Sequence, residues 1–119
     1  MSQVLLVGKD WPSRALVRAQ LLEEGVDVEA YETSRDALNT LTSLGDLPQL
    51  LVADLHGNAR PEAEIDALSK WGGLMSIWVI SSRVLRLDRN LGDAGIERLL
   101  ARPVDVKRLV EEIKQRVAS

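Results

Sequence analysis

The amino-acid sequence predicts an α/β domain in which a parallel sheet of five strands is covered by helices on both faces. Short apolar runs alternate with helix-like segments along the chain, in units of about 24 residues, which is typical of βα repeats. Several of these runs, such as Val4–Val7, are apolar at every position, as strands buried on both faces are. A length of 119 residues with 45% apolar residues suits one domain with one core.

The N-terminal part of the chain predicts a buried strand, a helix and an edge strand. Val4–Val7 is the buried strand. A proline that can open a helix but not continue one favours a helix over Ser13–Glu24, with Asp10 or Ser13 as its cap. The core-facing side chains of this helix are predicted to be Leu16, Val17 and Leu21. Val26–Ala30 alternates apolar and polar residues, which favours a strand at the edge of the sheet.

The middle of the chain predicts a helix, a second buried strand and a further helix. Thr33–Asp36 resembles a capping box, and the apolar positions after it favour a helix that ends at Gly45. Leu50–Ala53 is again apolar throughout, so a buried strand is expected to stop at Asp54. Pro61 can open the next helix, because a proline is well suited to the first helical turn.

The C-terminal part of the chain predicts two strands and two helices. Ile77–Ile80 is the fourth apolar strand, and an arginine-rich helix is expected around Leu85–Ala94. Glu97–Ala101 is the predicted fifth strand. The last helix follows Asp105 as its cap. Its apolar residues lie at helical spacing: Val106, Leu109, Val110, Ile113 and Val117.

The composition excludes several classes of protein. The chain has no cysteine, which excludes disulfides, thiol nucleophiles and cysteine-ligated metals, and a single histidine excludes a site built from several histidines. No acid/base pair, glycine-rich phosphate loop or G-x-S-x-G motif is present, so an enzyme is not expected. The uncharged stretch Trp71–Ser82 is too short to span a membrane, and no secretory signal precedes it. We therefore expect a cytoplasmic protein.

Charged and hydroxyl side chains follow several of the predicted strands. Asp54 ends the most buried strand, Ser81 follows the fourth, Lys9 and Arg102 follow two others, and Asp10 adds a second carboxylate. In a parallel sheet, ligands bind beyond the carboxyl ends of the strands. This set could hold a phosphoryl group on Asp54, with cations neutralising its oxygens and a hydroxyl donating to one of them. An alternative of equal weight is that Asp54 only caps its loop, because aspartate favours turns.

The chain as a whole, residues 1–119, resembles the receiver domains of two-component response regulators. The family's phosphoacceptor segment matches Leu51–Leu55, so the resemblance implies that Asp54 is the phosphoacceptor. The family's hydroxyl residue after the fourth strand falls on Ser81, and its lysine–proline pair falls on Arg102-Pro103. The resemblance implies a single receiver-like domain with a three-layer, flavodoxin-like (βα)5 fold. Its five parallel strands would have the order 2-1-3-4-5.

The sequence departs from the family at the positions that hold Mg²⁺. The family's acidic pair after the first strand falls on Gly8 and Lys9, and a lysine has the wrong charge for a Mg²⁺ site. Asp10 and Asp54 are the remaining candidate metal ligands. We therefore expect the Mg²⁺ site to be degraded.

Two further departures concern the signalling state. Arg102 replaces the family's lysine, which keeps the charge but not the shape, and the family's switch aromatic falls on Leu99. Lys9 and Arg102 could neutralise Asp54 permanently. The pocket would then be held in one state without a ligand.

Three functions remain open at this stage, of which the third, a nucleic-acid accessory module that uses the arginine-rich face, is the least favoured. In the first, a histidine kinase or a phosphotransfer protein phosphorylates Asp54 in a two-component phosphorelay, and the output is a protein–protein interaction. In the second, the chain is a pseudo-receiver that docks or dimerises without phosphorylation. The resemblance places the output surface on the segment Arg83–Arg108 and the last helix, where basic residues could meet an acidic protein or a second copy of the chain. Scattered solubilising charge explains these residues equally well. A net charge of −3 gives no reason to expect nucleic acid or a membrane as partner.

Overall fold

The computed structural model describes residues 3–44, 47–81 and 95–118, which form a parallel sheet of five strands between two layers of helices. The strand order is β2-β1-β3-β4-β5, so the predicted flavodoxin-like α/β class and the order 2-1-3-4-5 are confirmed. The elements in chain order are β1 (Val4–Gly8), α1 (Trp11–Glu23), β2 (Val28–Tyr31), α2 (Ser34–Leu44), β3 (Leu50–Asp54), α3 (Pro61–Ser69), β4 (Ser76–Ser81), β5 (Arg98–Ala101) and α4 (Val106–Ala118).

The sheet has an apolar core on each face. On one face, α1 and α4 contribute Leu21 and Ile113 to a cluster that contains the buried Trp78. On the other face, α2 and α3 contribute Ala37 and Leu68 to a second cluster. Successive side chains of a strand point to opposite faces, so a strand that supplies both cores is apolar at every position. This explains why β1, β3 and β4 appear in the sequence as uninterrupted apolar runs.

The helix predicted over Ser13–Glu24 begins earlier, at Trp11, and one of its three predicted core residues is not in the core. Val17 and Leu21 are buried, whereas Leu16 is 48% exposed. Consecutive residues of an α-helix are about 100° apart around its axis, and only a narrow stripe of α1 faces the sheet. Leu16 is therefore turned away from the sheet although it adjoins Val17 in sequence.

The strand predicted over Val26–Ala30 is shifted along the chain, and its edge position is confirmed. The amide of Val26 donates to the carbonyl of Leu21, so this residue belongs to the turn after α1. The strand β2 begins two residues later and pairs with β1 from Val28 onwards. The tight turn that closes α1 therefore delays the start of the strand.

The caps predicted for α2 and α4 are confirmed. The amide of Asp36 donates to Oγ1 of Thr33 at 3.1 Å, and the amide of Arg108 donates to Oδ1 of Asp105 at 3.2 Å. For α1, Asp10 occupies the cap position, one of the two predicted, although its side chain makes no hydrogen bond to the backbone of the helix. Its carboxylate accepts a hydrogen bond from the Ser13 hydroxyl instead.

Two predictions lie outside the described residues, namely the helix over Leu85–Ala94 and the helix end at Gly45. The predicted fifth strand is present and begins one residue later than expected, at Arg98. Among the residues that the structure describes, no helix has the length and apolar character that crossing a bilayer requires.

The strand register places the candidate site at the edge of the sheet that is formed by the carboxyl ends of the strands. Gly8 is the register partner of Asp54, and Asp54 is the register partner of Ile80. On the next pair of strands, Ser81 lies opposite Ala101. The carboxyl ends of β1, β3, β4 and β5 are therefore level with one another, and the residues that follow them meet above this edge.

Candidate functional site

Asp54 is the last residue of β3, and its side chain is largely buried, with 19% of it exposed. Its Oδ1 atom accepts a hydrogen bond of 3.0 Å from the amide of His56, so the carboxylate does cap the loop after β3. The amide of Leu55 donates to the carbonyl of Ile80, which holds this loop against β4. The backbone thus fixes where the Asp54 carboxylate lies.

Arg102, which directly follows β5, binds this carboxylate. Its amide donates to the carbonyl of Ser81 at 3.0 Å, which places the side chain beside β3. Its Nε atom donates to Oδ1 of Asp54 at 3.2 Å, and its Nη2 atom donates to Oδ2. The hydrogen bond to Asp54 and the negative charge of that residue outweigh burial and raise the pKa of Arg102. The two side chains form a bidentate ion pair, the strongest geometry for arginine and a carboxylate.

The start of α1 completes one wall of the site. A cavity of about 100 Å³ is lined by Asp54 and Arg102, by Asp10 and Arg14 from the start of α1, and by apolar side chains below them. The structure thus brings both predicted carboxylates, Asp10 and Asp54, to one cavity. Arg14 donates a hydrogen bond to the carbonyl of Gly8 and was missed by the sequence analysis. Its position in the first turns of a helix that directly follows β1 was the signal that could have identified it.

The other two predicted pocket residues have different surroundings. Ser81 is buried at the end of β4. It follows Ile80, the register partner of Asp54, so Ser81 and Asp54 lie on adjacent strands. Lys9 is exposed, and it lines a groove between α2 and α3 rather than the cavity at Asp54. The cation that neutralises Asp54 is therefore Arg102, and Lys9 belongs to a different surface.

The donor groups at this edge do not fit a Mg²⁺ site. Mg²⁺ requires several oxygen ligands in a strict octahedral arrangement. Both oxygens of Asp54 accept hydrogen bonds from Arg102, and the carboxylate of Asp10 accepts one from Ser13. Gly8 has no side chain to offer. No cluster of three or more potential metal-ligating side chains occurs in the described ranges.

The described cations of the basic segment Arg83–Arg108 are mostly paired within the chain. Arg98 donates to Glu112 at 3.1 Å and lies over the ring of Trp78, 4.6 Å from its centroid. Arg108 donates to the same glutamate at 3.4 Å. The contact between Arg98 and Glu112 joins β5 to α4. Much of the positive charge in this part of the structure is therefore compensated internally.

A second polar network lies at the opposite edge of the sheet, where β4 and β5 begin. Oε2 of Glu97 accepts hydrogen bonds from Nε1 of Trp78 at 2.7 Å and from Nε of Arg116 at 3.2 Å. Burial favours a higher pKa for Glu97, but the hydrogen bonds from Arg116 and Trp78 and the charge of Arg116 outweigh it, so the pKa of Glu97 is lowered. The network gives the indole N–H of a core tryptophan a charged partner.

No family model and no curated protein matches this sequence. Solved structures match it over nearly its whole length. A CheY-like response regulator receiver domain from Methanospirillum hungatei is 18% identical with a TM-score of 0.79, and the match covers 99% of this chain and 94% of that one. The signal receiver domain of a Luxo repressor protein from Vibrio parahaemolyticus is 24% identical with a TM-score of 0.76, covering 99% and 92%. The non-phosphorylated HemR receiver domain from Leptospira biflexa is 16% identical with a TM-score of 0.77, covering 100% and 96%. The chain therefore has the receiver-domain fold of response regulators.

Proposed function

We propose that the chain is a receiver-like signalling module that acts through protein–protein contact and whose Asp54 pocket is held in one state by Arg102. The bidentate ion pair between these two residues is the observation that carries the proposal. Because Arg102 already binds both carboxylate oxygens of Asp54, it neutralises the negative charge that this residue would otherwise present to a metal ion or a phosphoryl donor.

The residues that follow β1 support the same conclusion. Phosphoryl transfer depends on cations that neutralise the developing charge, and in this fold family a metal ion held by acidic side chains supplies that charge. Gly8 and Lys9 occupy those positions here, and Lys9 lies on the surface. Arg102 therefore has a structural role, because its permanent positive charge takes the place of a reversibly bound metal ion.

A second function is favoured by the position of Asp54 itself. The carboxylate ends the central strand, a fifth of its side chain is exposed, and Ser81 ends the neighbouring strand. In this alternative, a histidine kinase or a phosphotransfer protein phosphorylates Asp54, and Arg102 moves to bind the phosphoryl group. Both functions place the output partner, an acidic protein or a second copy of the chain, on β5 and α4. Leu99 is the exposed apolar residue of that surface.

Labelling with acetyl phosphate and Mg²⁺, read by intact mass, tests the proposal. We expect wild type to take up little label. The matched variant combines Gly8→Asp with Lys9→Asp. A Cβ atom at position 8 would lie 3.5 Å from Cβ of Asp54, an ordinary contact, so a side chain at this position begins beside Asp54 without a clash at Cβ. This variant should be less stable without metal by about 1–3 kcal/mol, because like charges repel. Mg²⁺ at a hundredfold excess over Kd should then add about 2.7 kcal/mol.

The controls separate the two functions. Rapid and near-complete labelling of wild type that is lost in Asp54→Asn would reject the restrained pocket and support the phosphoacceptor. Labelling that survives in Asp54→Asn would reject Asp54 as the phosphoacceptor. Stabilisation of wild type by Mg²⁺ as strong as that of the double variant would show that a metal site is already complete.

A further inference from the structure

A groove between α2 and α3 is lined by more cations than carboxylates. Its volume is about 650 Å³, within the range of small-molecule sites. Four cations line it, Lys9, Arg35, Arg60 and Lys70, against a single carboxylate, Glu64. The chain as a whole carries a net charge of −3, so this excess of positive charge is local. Such a surface favours an anionic ligand.

The floor of the groove is apolar. The side chains of Leu38, Ala63 and Ala67 line it, and Trp71 closes it at the end of α3. Trp71 is partly buried against the core and partly open to the groove. Small alanine side chains beside a large aromatic ring leave room for a flat group to lie against the ring. The groove therefore offers contacts to an apolar ring as well as to a charge.

Ser34 provides an independent indication of a ligand. It is the first residue of α2, it lines the groove, and it is only 1% exposed. Within the described part of the chain, its Oγ atom has no hydrogen-bond partner. A buried hydroxyl without a partner lowers stability, so a group of this kind calls for a specific explanation. The N-terminus of α2 adds the partial positive charge that attracts anions.

We propose that this groove binds a small anion that carries a planar ring, a ligand of the mononucleotide class. The anionic group would lie near Ser34, Arg35 and Arg60, and the ring would lie against Trp71. Arg60 precedes α3 and Trp71 follows it, and the nine residues of this helix span about 14 Å at 1.5 Å per residue. A ligand that spans this distance needs a linker between its charge and its ring, as the sugar of a nucleotide provides. This inference does not depend on the state of Asp54.

Titration of the full chain with adenosine monophosphate, followed by amide and indole NMR shifts, tests the proposal. We expect saturable shifts at residues 34–39 and 58–71. Ser34→Ala should bind about tenfold more weakly, which corresponds to about 1.4 kcal/mol, without losing stability, because the hydroxyl has no hydrogen-bond partner to lose among the described residues. Arg60→Gln should weaken binding to a similar degree. Lys107→Gln removes an exposed cation from α4 and serves as the control of equal charge, with unchanged affinity expected.

Separate titrations with inorganic phosphate and with adenosine distinguish the two halves of the ligand. Each should bind more weakly than the nucleotide. Phosphate that binds as tightly as the nucleotide would overturn the role of the ring and of Trp71. The proposal as a whole would be overturned by shifts outside the groove, by the absence of saturation at millimolar nucleotide, or by equal losses in Lys107→Gln and Arg60→Gln. Tighter binding of an acidic peptide to the same residues would also overturn it, in favour of a protein partner.

Discussion

A double-mutant cycle on Arg102 and Asp54 measures how strongly the pocket is restrained. Arg102→Met removes the guanidinium and keeps an apolar side chain of similar length, whereas Asp54→Asn removes the charge and keeps the shape. The cycle isolates the interaction between the two side chains from the other effects of each change. Because the hydrogen bond to Asp54 raises the pKa of Arg102, the guanidinium is charged at neutral pH, which is suitable for the measurement.

The structure sets the expected magnitude. The side chains of Arg102 and Asp54 are 24% and 19% exposed, so the pair lies between a surface ion pair and a buried one. Surface pairs contribute about 0–1 kcal/mol, and breaking a buried pair costs about 3–5 kcal/mol. With two hydrogen bonds to one carboxylate, we expect a coupling of about 1–3 kcal/mol. For a chain of this length, that corresponds to a loss in Tm of about 4–12 °C for Arg102→Met.

Urea and thermal unfolding of wild type, both single variants and the double variant provide the four free energies that the cycle needs. The ion pair between Lys114 and Glu24 is a matched control, because its N–O distance is 3.0 Å but its side chains are 42% and 46% exposed. The corresponding cycle of Lys114→Met and Glu24→Gln should show no measurable coupling. A coupling between Arg102 and Asp54 that is no larger than this control would refute the restrained pocket, and with it the proposed function.

Two further predictions concern the opposite edge of the sheet. A Cβ atom on Gly72 would lie 2.5 Å from Cα of Gly95, so Gly72→Ala should lower the free energy of unfolding by about 1–3 kcal/mol. Gly73 has open space around it, so Gly73→Ala should change this free energy by less than about 0.5 kcal/mol. Equal effects of the two substitutions in urea unfolding would contradict this prediction. Glu97, whose pKa is lowered because Arg116 outweighs the effect of burial, should contribute stability that is present above pH 4.5 and lost as the pH falls through its folded pKa. Glu97→Gln should therefore be less stable than wild type at pH 7 and equally stable at pH 3, and a difference that does not change with pH would reject this reasoning.

Patterns within short stretches of sequence were sufficient to predict the alternation of strands and helices, whereas the strand order was implied by the resemblance. Each of β1, β3 and β4 contains a run of four apolar residues, Val4–Val7, Leu50–Ala53 and Ile77–Ile80, because helices cover both of their faces, and this pattern is visible without the structure. The caps at Thr33 and Asp105 involve side chains three residues away, so they are also local. Asp54 could be identified as a candidate site residue because the end of a buried strand has a defined place in a parallel sheet.

Contacts between distant residues were decided by the tertiary structure alone. Arg102 and Asp54 are 48 residues apart, and only the strand order and register place the guanidinium on the carboxylate. Lys9 has the same charge as Arg102 and follows β1, which adjoins β3 in the sheet, whereas Arg102 follows β5, which does not. Lys9 nevertheless lies at the surface beside α2 and α3. Ser34 resembles an ordinary helix-capping residue in sequence, and only packing buries its hydroxyl without a partner in the described residues. Periodicity determines which face of an element is apolar, but the direction of an individual polar side chain depends on the neighbours that the fold brings to it.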